Sequence, residues 1–242
     1  MDKEKVLLEH LDELRKRLIF TLASFVLFLG LSFTFVDKIF GFLKRGTHIN
    51  QEMIVLGPSE VLNVYMIVAG ITAIGLTIPV ALYQAWRFVA PALTETERKV
   101  TGRSIPIISL VFFVGLACGY FLIFPTVYGF FVTLGEQEFT MMQTAGNYFS
   151  FMASIVLPFG FIFELPIVVM FLTRLGLLTP DFLSKNRKYA YFALSIVGVL
   201  LSPPDPTSDF ITILPMFLLY EIGVSLSRST YKKRMKLLYE LG

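Results

Sequence analysis

Six long apolar stretches, separated by short polar segments, divide the chain. Four of them contain no charged residue, and the fourth and the sixth contain one each, Glu164 and Glu221. A helix of about 20 apolar residues crosses the hydrocarbon core of a bilayer. The pattern therefore predicts an all-α, polytopic membrane protein, with a single membrane domain over residues 1–242 and six transmembrane helices. The predicted spans cover residues 18–36, 61–86, 104–135, 148–173, 189–201 and 210–227.

The segment before the first span has a helical pattern of its own. Leucines recur at i, i+4, i+7 and i+11, and charged residues occupy the other face. Glu13 stands four residues before Arg17, which is the favourable order for an ion pair on a helix surface. We predict an amphipathic helix over residues 4–17, whose apolar stripe consists of Leu7, Leu11, Leu14 and Leu18.

The fifth span is short. Its thirteen residues would reach only ~20 Å as a helix, less than the ~30 Å of the hydrocarbon core. Two interpretations are open, a short helix shielded by its neighbours or deliberate local thinning of the membrane. Each even-numbered span also holds a proline, which is expected to kink its helix; these are Pro79, Pro166 and Pro215.

The placement of charge predicts the orientation. At 55% hydrophobic residues and a mean hydropathy of +0.70, the composition excludes an ordinary soluble domain. Eighteen of the 21 lysines and arginines flank the spans in alternate gaps, and only Lys38, Lys44 and Arg45 lie in the others. Because basic residues are retained on the cytoplasmic side, both termini and the helix over 4–17 are predicted to be cytoplasmic. The default partner of such flanking cations is anionic lipid.

Three acidic residues outside the N-terminal helix are candidates for function. Glu97 fits a capping box with Thr94 at the start of the third helix, an ordinary structural role. Glu164 lies inside a span, where an ionised carboxylate costs about 2.5–3.5 kcal/mol, so it is either satisfied by a nearby hydroxyl or functional. Asp205, in a proline-rich turn, is either a plain turn former or part of the transport step.

Four separated motifs together resemble one protein family. The N-terminal helix carries His10-Leu-Asp-Glu-Leu-Arg-Lys-Arg17, and Phe88-Val-Ala-Pro-Ala-Leu93 is followed by Glu97 and Arg98. The fourth span reads Phe161-Ile-Phe-Glu-Leu-Pro166, and the last outer turn contains Ser202-Pro-Pro-Asp205. In this order, on a chain with six spans, they resemble TatC, the membrane receptor of the twin-arginine protein translocase. The resemblance runs from about residue 7 to residue 230.

The resemblance implies a function and a site. It implies a prokaryotic cell-membrane protein that binds signal peptides bearing two consecutive arginines and moves folded cargo, drawing on the proton motive force. The implied partners are TatA- or TatB-type single-span proteins and further copies in a multimeric complex. The implied shape is a concave, cup-like bundle with short fifth and sixth helices. The implied signal-peptide residues are Glu13, Arg15, Arg17, Phe88 and Glu97, and the implied partner-helix or transport residues are Glu164 and Asp205.

Elementary chemistry agrees with the carboxylates in that site. A guanidinium is a planar fork that pairs with a carboxylate through two hydrogen bonds, and an ammonium does not reproduce this geometry. A site that prefers Arg-Arg to Lys-Lys therefore needs carboxylates held by a scaffold. Glu13 on the N-terminal helix and Glu97 at a helix start meet this requirement. The neighbouring cations are expected to orient these carboxylates.

Two other classes of protein have to be compared with the sequence. A proton-coupled secondary transporter using Glu164 is the alternative, because a buried acid and kinked helices suit one. An intramembrane hydrolase would need a base near its nucleophile, but His10 and His48 both lie outside the spans. The sequence shows no Gly-x-Ser-x-Gly motif and no metal-ligand spacing. We therefore expect no enzyme activity, no cofactor, no metal and no nucleic-acid partner.

Overall fold

The computed structural model describes residues 2–46, 53–92, 95–138, 142–202 and 205–240. Within these ranges it leaves out the side chains of residues 2–9, 45–46, 92, 95–97, 99–101, 103–104, 137–138, 207 and 236–240. The described residues form helices α1 Asp2–Thr34, α2 Val36–Gly46, α3 Pro58–Val89, α4 Glu95–Cys118, α5 Phe124–Glu138, α6 Ala145–Phe163, α7 Leu165–Leu175, α8 Pro180–Lys185, α9 Arg187–Leu201 and α10 Pro206–Glu240.

The chain folds into two compact units. Unit 1 comprises residues 1–110 and 142–153, and unit 2 comprises residues 111–141 and 154–242. Two of the three boundaries between them along the chain fall inside helices, α4 and α6. The single membrane domain predicted over 1–242 stays a prediction.

Six apolar helical segments match the six predicted spans. Five of those in the described part of the chain are long enough to cross a bilayer, namely His10–Thr34, Pro58–Val89, Ile105–Glu136, Ala145–Leu175 and Ser208–Met235. The sixth is α9, which has 15 residues and coincides with the predicted short fifth span. The predicted all-α, multi-pass architecture is confirmed.

In unit 1, α1 joins two segments that the sequence pattern separates. The predicted amphipathic helix over 4–17 and the first span are one uninterrupted helix of 33 residues. The change from charged to apolar residues near Leu18 alters the environment of the helix but supplies no helix-breaking residue. The helix ends at Thr34, and Phe35 separates it from α2.

The segments between the first and second predicted spans and between the third and fourth contain further structure. α2 occupies part of the segment that follows the first span. Farther along, the Ile54 N–H donates to the carbonyl of Gln143 at 3.0 Å, and the Ala145 N–H donates to the carbonyl of Ile54 at 3.0 Å. The Glu60 carboxylate accepts from the N–H groups of Leu56, at 2.7 Å, and of Gly146, at 3.3 Å. These bonds tie together two segments that are almost 90 residues apart.

α3 packs against α1 and forms the scaffold of unit 1. Its buried face is built largely from small or β-branched residues, which allow a neighbouring helix to approach closely. The helix continues through Pro79 and ends in a single 3₁₀ turn, Ala90–Ala92. The buried residues of α3 are Val64, Val68, Ala69, Ala73, Gly75, Thr77 and Gln84.

In unit 2, the third and fourth spans are both interrupted. A π-helical turn, Gly119–Ile123, separates α4 from α5. It ends two residues before Pro125, which has no N–H to close a regular turn. The fourth span breaks at Glu164, between α6 and α7, two residues before Pro166. Gly160 lets α6 approach α4, because a Cβ there would lie 2.7 Å from Cε2 of Phe112.

The last two spans differ in length. α10 is 35 residues long, so the expectation of a short sixth helix is wrong for the helix as a whole. Its apolar part, residues 210–227, is followed by good helix formers such as lysine, arginine and leucine, which continue the helix beyond the apolar region. α10 packs on α7, α8 and α9, and a buried hydrogen bond of 2.7 Å joins the hydroxyl groups of Thr173 and Ser227.

A polar network joins α9 to α10. The Glu221 carboxylate accepts from Arg187 Nη2 at 2.7 Å and from the Tyr191 hydroxyl at 2.6 Å. The Tyr191 ring stacks on Phe217, with centroids 4.5 Å apart. The position of Glu221 inside an apolar run is thereby explained, because its charge is paired on the neighbouring helix.

Candidate functional site

A groove of about 630 Å³ lies between α1 and α3 in unit 1. Successive turns of α1 and the last turns of α3 supply its walls, since i, i+3 and i+4 positions of a helix share one face. Both anionic and cationic side chains line it, together with two aromatic rings. The lining residues are Asp12, Glu13, Lys16, Arg17, Phe20, Tyr83, Gln84 and Arg87. We call this the α1–α3 groove.

A guanidinium held by two helices is the main feature of the groove. Arg17 Nη2 donates to Glu13 Oε1 within α1, in a close ion pair, and Arg17 Nη1 donates to Gln84 Oε1 of α3 at 3.2 Å. The Arg17 side chain is only 16% exposed, and Gln84 is 7% exposed. A carboxylate and an amide oxygen therefore already form a guanidinium-binding pair in this groove.

Glu13, which is predicted to bind the signal peptide, lines the groove, but its carboxylate is not free. Its partner Arg17, also predicted as a site residue, occupies it. Of the charged residues that line the groove, Asp12 and Glu13 are acidic, whereas Lys16, Arg17 and Arg87 are basic. An incoming cation must therefore either compete with Arg17 or bind elsewhere on the groove wall.

Arg15 is placed differently from Arg17. Its guanidinium pairs with Asp12 at 3.3 Å, and both side chains are mostly exposed. Arg15 is not among the residues that line the α1–α3 groove. The structure brings Glu13 and Arg17 together and leaves Arg15 on an exposed face of α1.

Phe88 lies beside the groove on the last turn of α3. Its ring stacks on His10 of α1, with centroids 4.3 Å apart and planes inclined by 27°. Phe88 follows Gln84 by four residues, and His10 precedes Glu13 by three, so both rings are one helical turn from the Arg17 contacts. An aromatic contact between α1 and α3 therefore borders the polar cluster.

Glu97 lies in the first turn of α4, but its side chain is outside the described part of the chain, as is all of Thr94. The capping box and the approach of Glu97 to Glu13 both stay predictions. The nearest described contact is at Gly102, where a Cβ would lie 2.8 Å from Cζ2 of Trp86. This contact packs the second turn of α4 against the end of α3.

The sequence analysis missed Gln84 and Tyr83. Gln84 is one of the few polar residues in the span over 61–86, and a buried amide requires a hydrogen-bond partner. That mismatch was a usable signal, but the partner could not be identified without the register of α3 against α1. Tyr83 lines the groove and lies near Trp86, with ring centroids 5.9 Å apart.

Glu164 is in unit 2, at the break between α6 and α7. It is only 8% exposed, and its Oε1 atom has no hydrogen-bond partner among the residues that the structure describes. The nearby hydroxyl that the sequence analysis considered as a partner is therefore not found for this oxygen. A buried polar atom of this kind is a binding candidate, because an unpaired acceptor is costly.

Asp205 has a clear local role. Its Oδ2 accepts from the Ser208 N–H at 2.9 Å, and its carbonyl accepts from the Asp209 N–H at 2.9 Å. This is the geometry of an N-cap residue, here at the start of α10. Ser202, at the end of α9, donates from its hydroxyl to Asp209. These contacts favour the turn-forming interpretation of Asp205 over a direct role in transport.

The fold and the groove define a class of protein. The chain is a multi-pass helical membrane protein, with a polar, arginine-containing groove at one end of its first two spans. The comparisons with known proteins then identify the family. The sequence model of the Sec-independent protein translocase protein (TatC) matches residues 9–215, and the chain belongs to this family.

Individual relatives support the same assignment. The chain is 52% identical to the Sec-independent protein translocase protein TatCd of Bacillus subtilis (strain 168) over 237 residues, which is 98% of this chain and 97% of that protein. It is 33% identical to TatC of Escherichia coli (strain K12) over 227 residues, which is 92% of this chain and 88% of that protein. The crystal structure of the twin arginine translocase receptor TatC superposes with a TM-score of 0.77 and 31% identity, covering 91% of this chain and 99% of that one.

The family defines the general function. The chain is a membrane-embedded component of a protein translocase. The resemblance noted in the sequence, and with it the expectation of a protein-transport function, is confirmed.

Proposed function

We propose that the α1–α3 groove binds the consecutive arginines of a signal peptide at the cytoplasmic face of a prokaryotic cell membrane. The observation that carries this proposal is the guanidinium held between Glu13 and Gln84. A site that binds the protein's own guanidinium has the geometry and charge to bind that of a ligand. The structurally similar TatC protein is a twin arginine translocase receptor, which agrees with this proposal.

The two arginines need two acceptors. Glu13 supplies one, and Glu97 supplies the second, because α4 begins beside the end of α3, where Gly102 packs on Trp86. Arg17 holds the Glu13 carboxylate through their ion pair, and Arg15, which is exposed and pairs with Asp12, disfavours peptides whose charges do not match the geometry. Phe20 is an exposed aromatic residue of the groove, and it accepts apolar residues that flank the arginines, together with Phe88.

The peptide-bound protein then recruits TatA- or TatB-type single-span proteins and further copies of itself. Glu164 is the docking point in this proposal, because its buried Oε1 lacks a partner among the described residues and a partner helix with a polar side chain can satisfy it. The short α9 thins the adjacent membrane. Folded cargo crosses there at the expense of the proton motive force, and both termini remain cytoplasmic.

The proposal is tested by equilibrium binding of two synthetic signal peptides that differ only in Arg-Arg and Lys-Lys. The parent protein should prefer the Arg-Arg peptide. Glu13→Gln and Glu97→Gln should each weaken Arg-Arg binding by about 1.5–3 kcal/mol, because each removes a charge-assisted pair. Lys-Lys binding should change less.

The matched control is Asp181→Asn, which removes one exposed carboxylate from the first turn of α8. It should leave the affinities of both peptides unchanged. Affinities of the Glu13→Gln and Glu97→Gln proteins within twofold of the parent value would overturn the assignment of these carboxylates.

A further inference from the structure

The groove contains a guanidinium that belongs to the protein itself, that of Arg17. The Arg17 guanidinium bridges two helices, with Glu13 in its own helix and Gln84 in α3. Its Nε atom is buried and has no hydrogen-bond partner among the described residues. A guanidinium has five N–H donors in a fixed planar fork. In this arrangement Glu13 and Gln84 each accept a hydrogen bond, whereas the Nε–H donor of Arg17 stays unpaired among the described residues.

The two acceptors of this contact lie on different helices. Gln84 is buried on α3, and its amide oxygen reaches the groove from a helix packed against α1. Glu13 and Arg17 are neighbours at i and i+4, a pair that forms easily and contributes little free energy when it is partly solvated. Moving the Arg17 side chain out of the groove therefore breaks the pair with Glu13 and the hydrogen bond to Gln84, and it exposes both acceptors.

We infer that Glu13 and Gln84 form a guanidinium-binding site that Arg17 fills as an internal competitor, and that an arginine of the signal peptide binds by displacing Arg17. This inference rests on the proposed function for the identity of the incoming arginine. The site and its occupancy rest on the contacts of Arg17 alone. Gln84 thereby becomes a specificity residue, since its amide oxygen accepts one branch of the planar fork.

Displacement has a quantitative consequence. A ligand that must compete with an internal group binds with an affinity lowered by the fraction of open sites. Weakening the internal competitor should therefore strengthen binding of the Arg-Arg peptide. A role of Arg17 as a direct peptide contact, or as a simple tie between α1 and α3, predicts the opposite or no change.

Chemical rescue tests the site without any peptide. The purified Arg17→Ala protein is titrated with n-propylguanidinium at millimolar concentrations, and its thermal unfolding temperature is measured. We expect the temperature to rise with n-propylguanidinium but not with n-propylammonium. The rise should be absent in the Arg17→Ala/Gln84→Leu protein and in Arg228→Ala, whose lost guanidinium contacts only Ser184 in the described part of the chain. Equal effects of both cations would overturn the guanidinium site.

Peptide binding tests the exchange, with Arg17→Lys as the variant that keeps the positive charge and the length of the side chain. Lysine cannot bridge Glu13 and Gln84 through a planar fork, so the Arg-Arg peptide should bind this variant about tenfold more tightly than the parent, equivalent to about 1.4 kcal/mol. Arg228→Lys is the matched control and should bind like the parent. Unchanged or weaker binding by Arg17→Lys would overturn displacement.

The two experiments separate the inference from the proposed function. In one outcome, n-propylguanidinium rescues the Arg17→Ala protein, but the parent does not prefer Arg-Arg to Lys-Lys peptides. This outcome would refute signal-peptide binding in the groove and support the guanidinium site. Preference for Arg-Arg without rescue would support the proposed function and overturn the role of Arg17 as an internal competitor.

Discussion

The contact of Tyr191 with Glu221 gives a prediction whose size can be worked out from the structure. Tyr191→Phe removes the hydroxyl that donates to Glu221 at 2.6 Å and keeps the ring that stacks on Phe217. Glu221→Gln removes the charge shared by Tyr191 and Arg187. Together, these two substitutions form a double-mutant cycle on the junction between the short α9 and the long α10.

The expected change in the free energy of unfolding follows from the exposed fractions of the side chains. Arg187 and Glu221 are 39% and 38% exposed, so solvent screening limits their ion pair to about 0–1 kcal/mol. A hydrogen bond to a charged acceptor contributes about 1.5–3 kcal/mol when it is well shielded, and partial exposure lowers this. We expect Tyr191→Phe to lower the free energy of unfolding by about 1 kcal/mol, with a coupling energy to Glu221→Gln of similar size.

The assay is reversible unfolding in detergent for the parent, both single variants and the double variant. Tyr189→Phe is the control, because Tyr189 is a nearby exposed tyrosine of α9, and it should change the free energy of unfolding by less than about 0.5 kcal/mol. A coupling energy within about 0.3 kcal/mol of zero, the range expected for independent sites, would refute the reasoning.

Three further predictions concern other positions. Asp205→Ala should lower the free energy of unfolding by about 1 kcal/mol in thermal unfolding, because α10 loses its N-cap. Asp205→Asn should keep most of the parent stability, and equal losses in the two variants would contradict the capping role. Gly160→Leu should destabilise the protein by at least about 1–3 kcal/mol, since a Cβ already meets Phe112 at 2.7 Å, whereas Gly129→Leu, where a Cβ meets no atom within 4 Å, should unfold near the parent temperature. Glu164→Gln should leave Arg-Arg peptide affinity unchanged and at most weaken co-purification of TatA- or TatB-type proteins; lost peptide binding would count against separate sites.

The spans were predictable because their cause is local composition. The thirteen-residue apolar run over 189–201 predicts a short helix whatever surrounds it, and α9 has 15 residues. The ends of helices were less predictable. The change from charged to apolar residues at Leu18 predicts a boundary between the amphipathic helix and the first span. α1 continues through this position, because helix formation depends on backbone propensity rather than on polarity.

The groove was only partly predictable. Glu13 and Arg17 could be paired from their spacing, since i and i+4 positions always meet on a helix. Gln84 could not be added to them, because its approach to Arg17 depends on how α3 packs against α1. The same holds for the pairing of Ile54 with Gln143 and Ala145, which joins segments that share no sequence signal.

Crosslinking from within the groove tests the central claim most directly. A photoreactive residue is placed at Tyr83, which lines the groove without being an acceptor of the Arg17 guanidinium, and the protein is irradiated with labelled Arg-Arg or Lys-Lys signal peptide. The account predicts strong crosslinks to the Arg-Arg peptide that excess unlabelled Arg-Arg peptide suppresses, and that Glu13→Gln reduces. Equal labelling by both peptides, or labelling unaffected by Glu13→Gln, would contradict it.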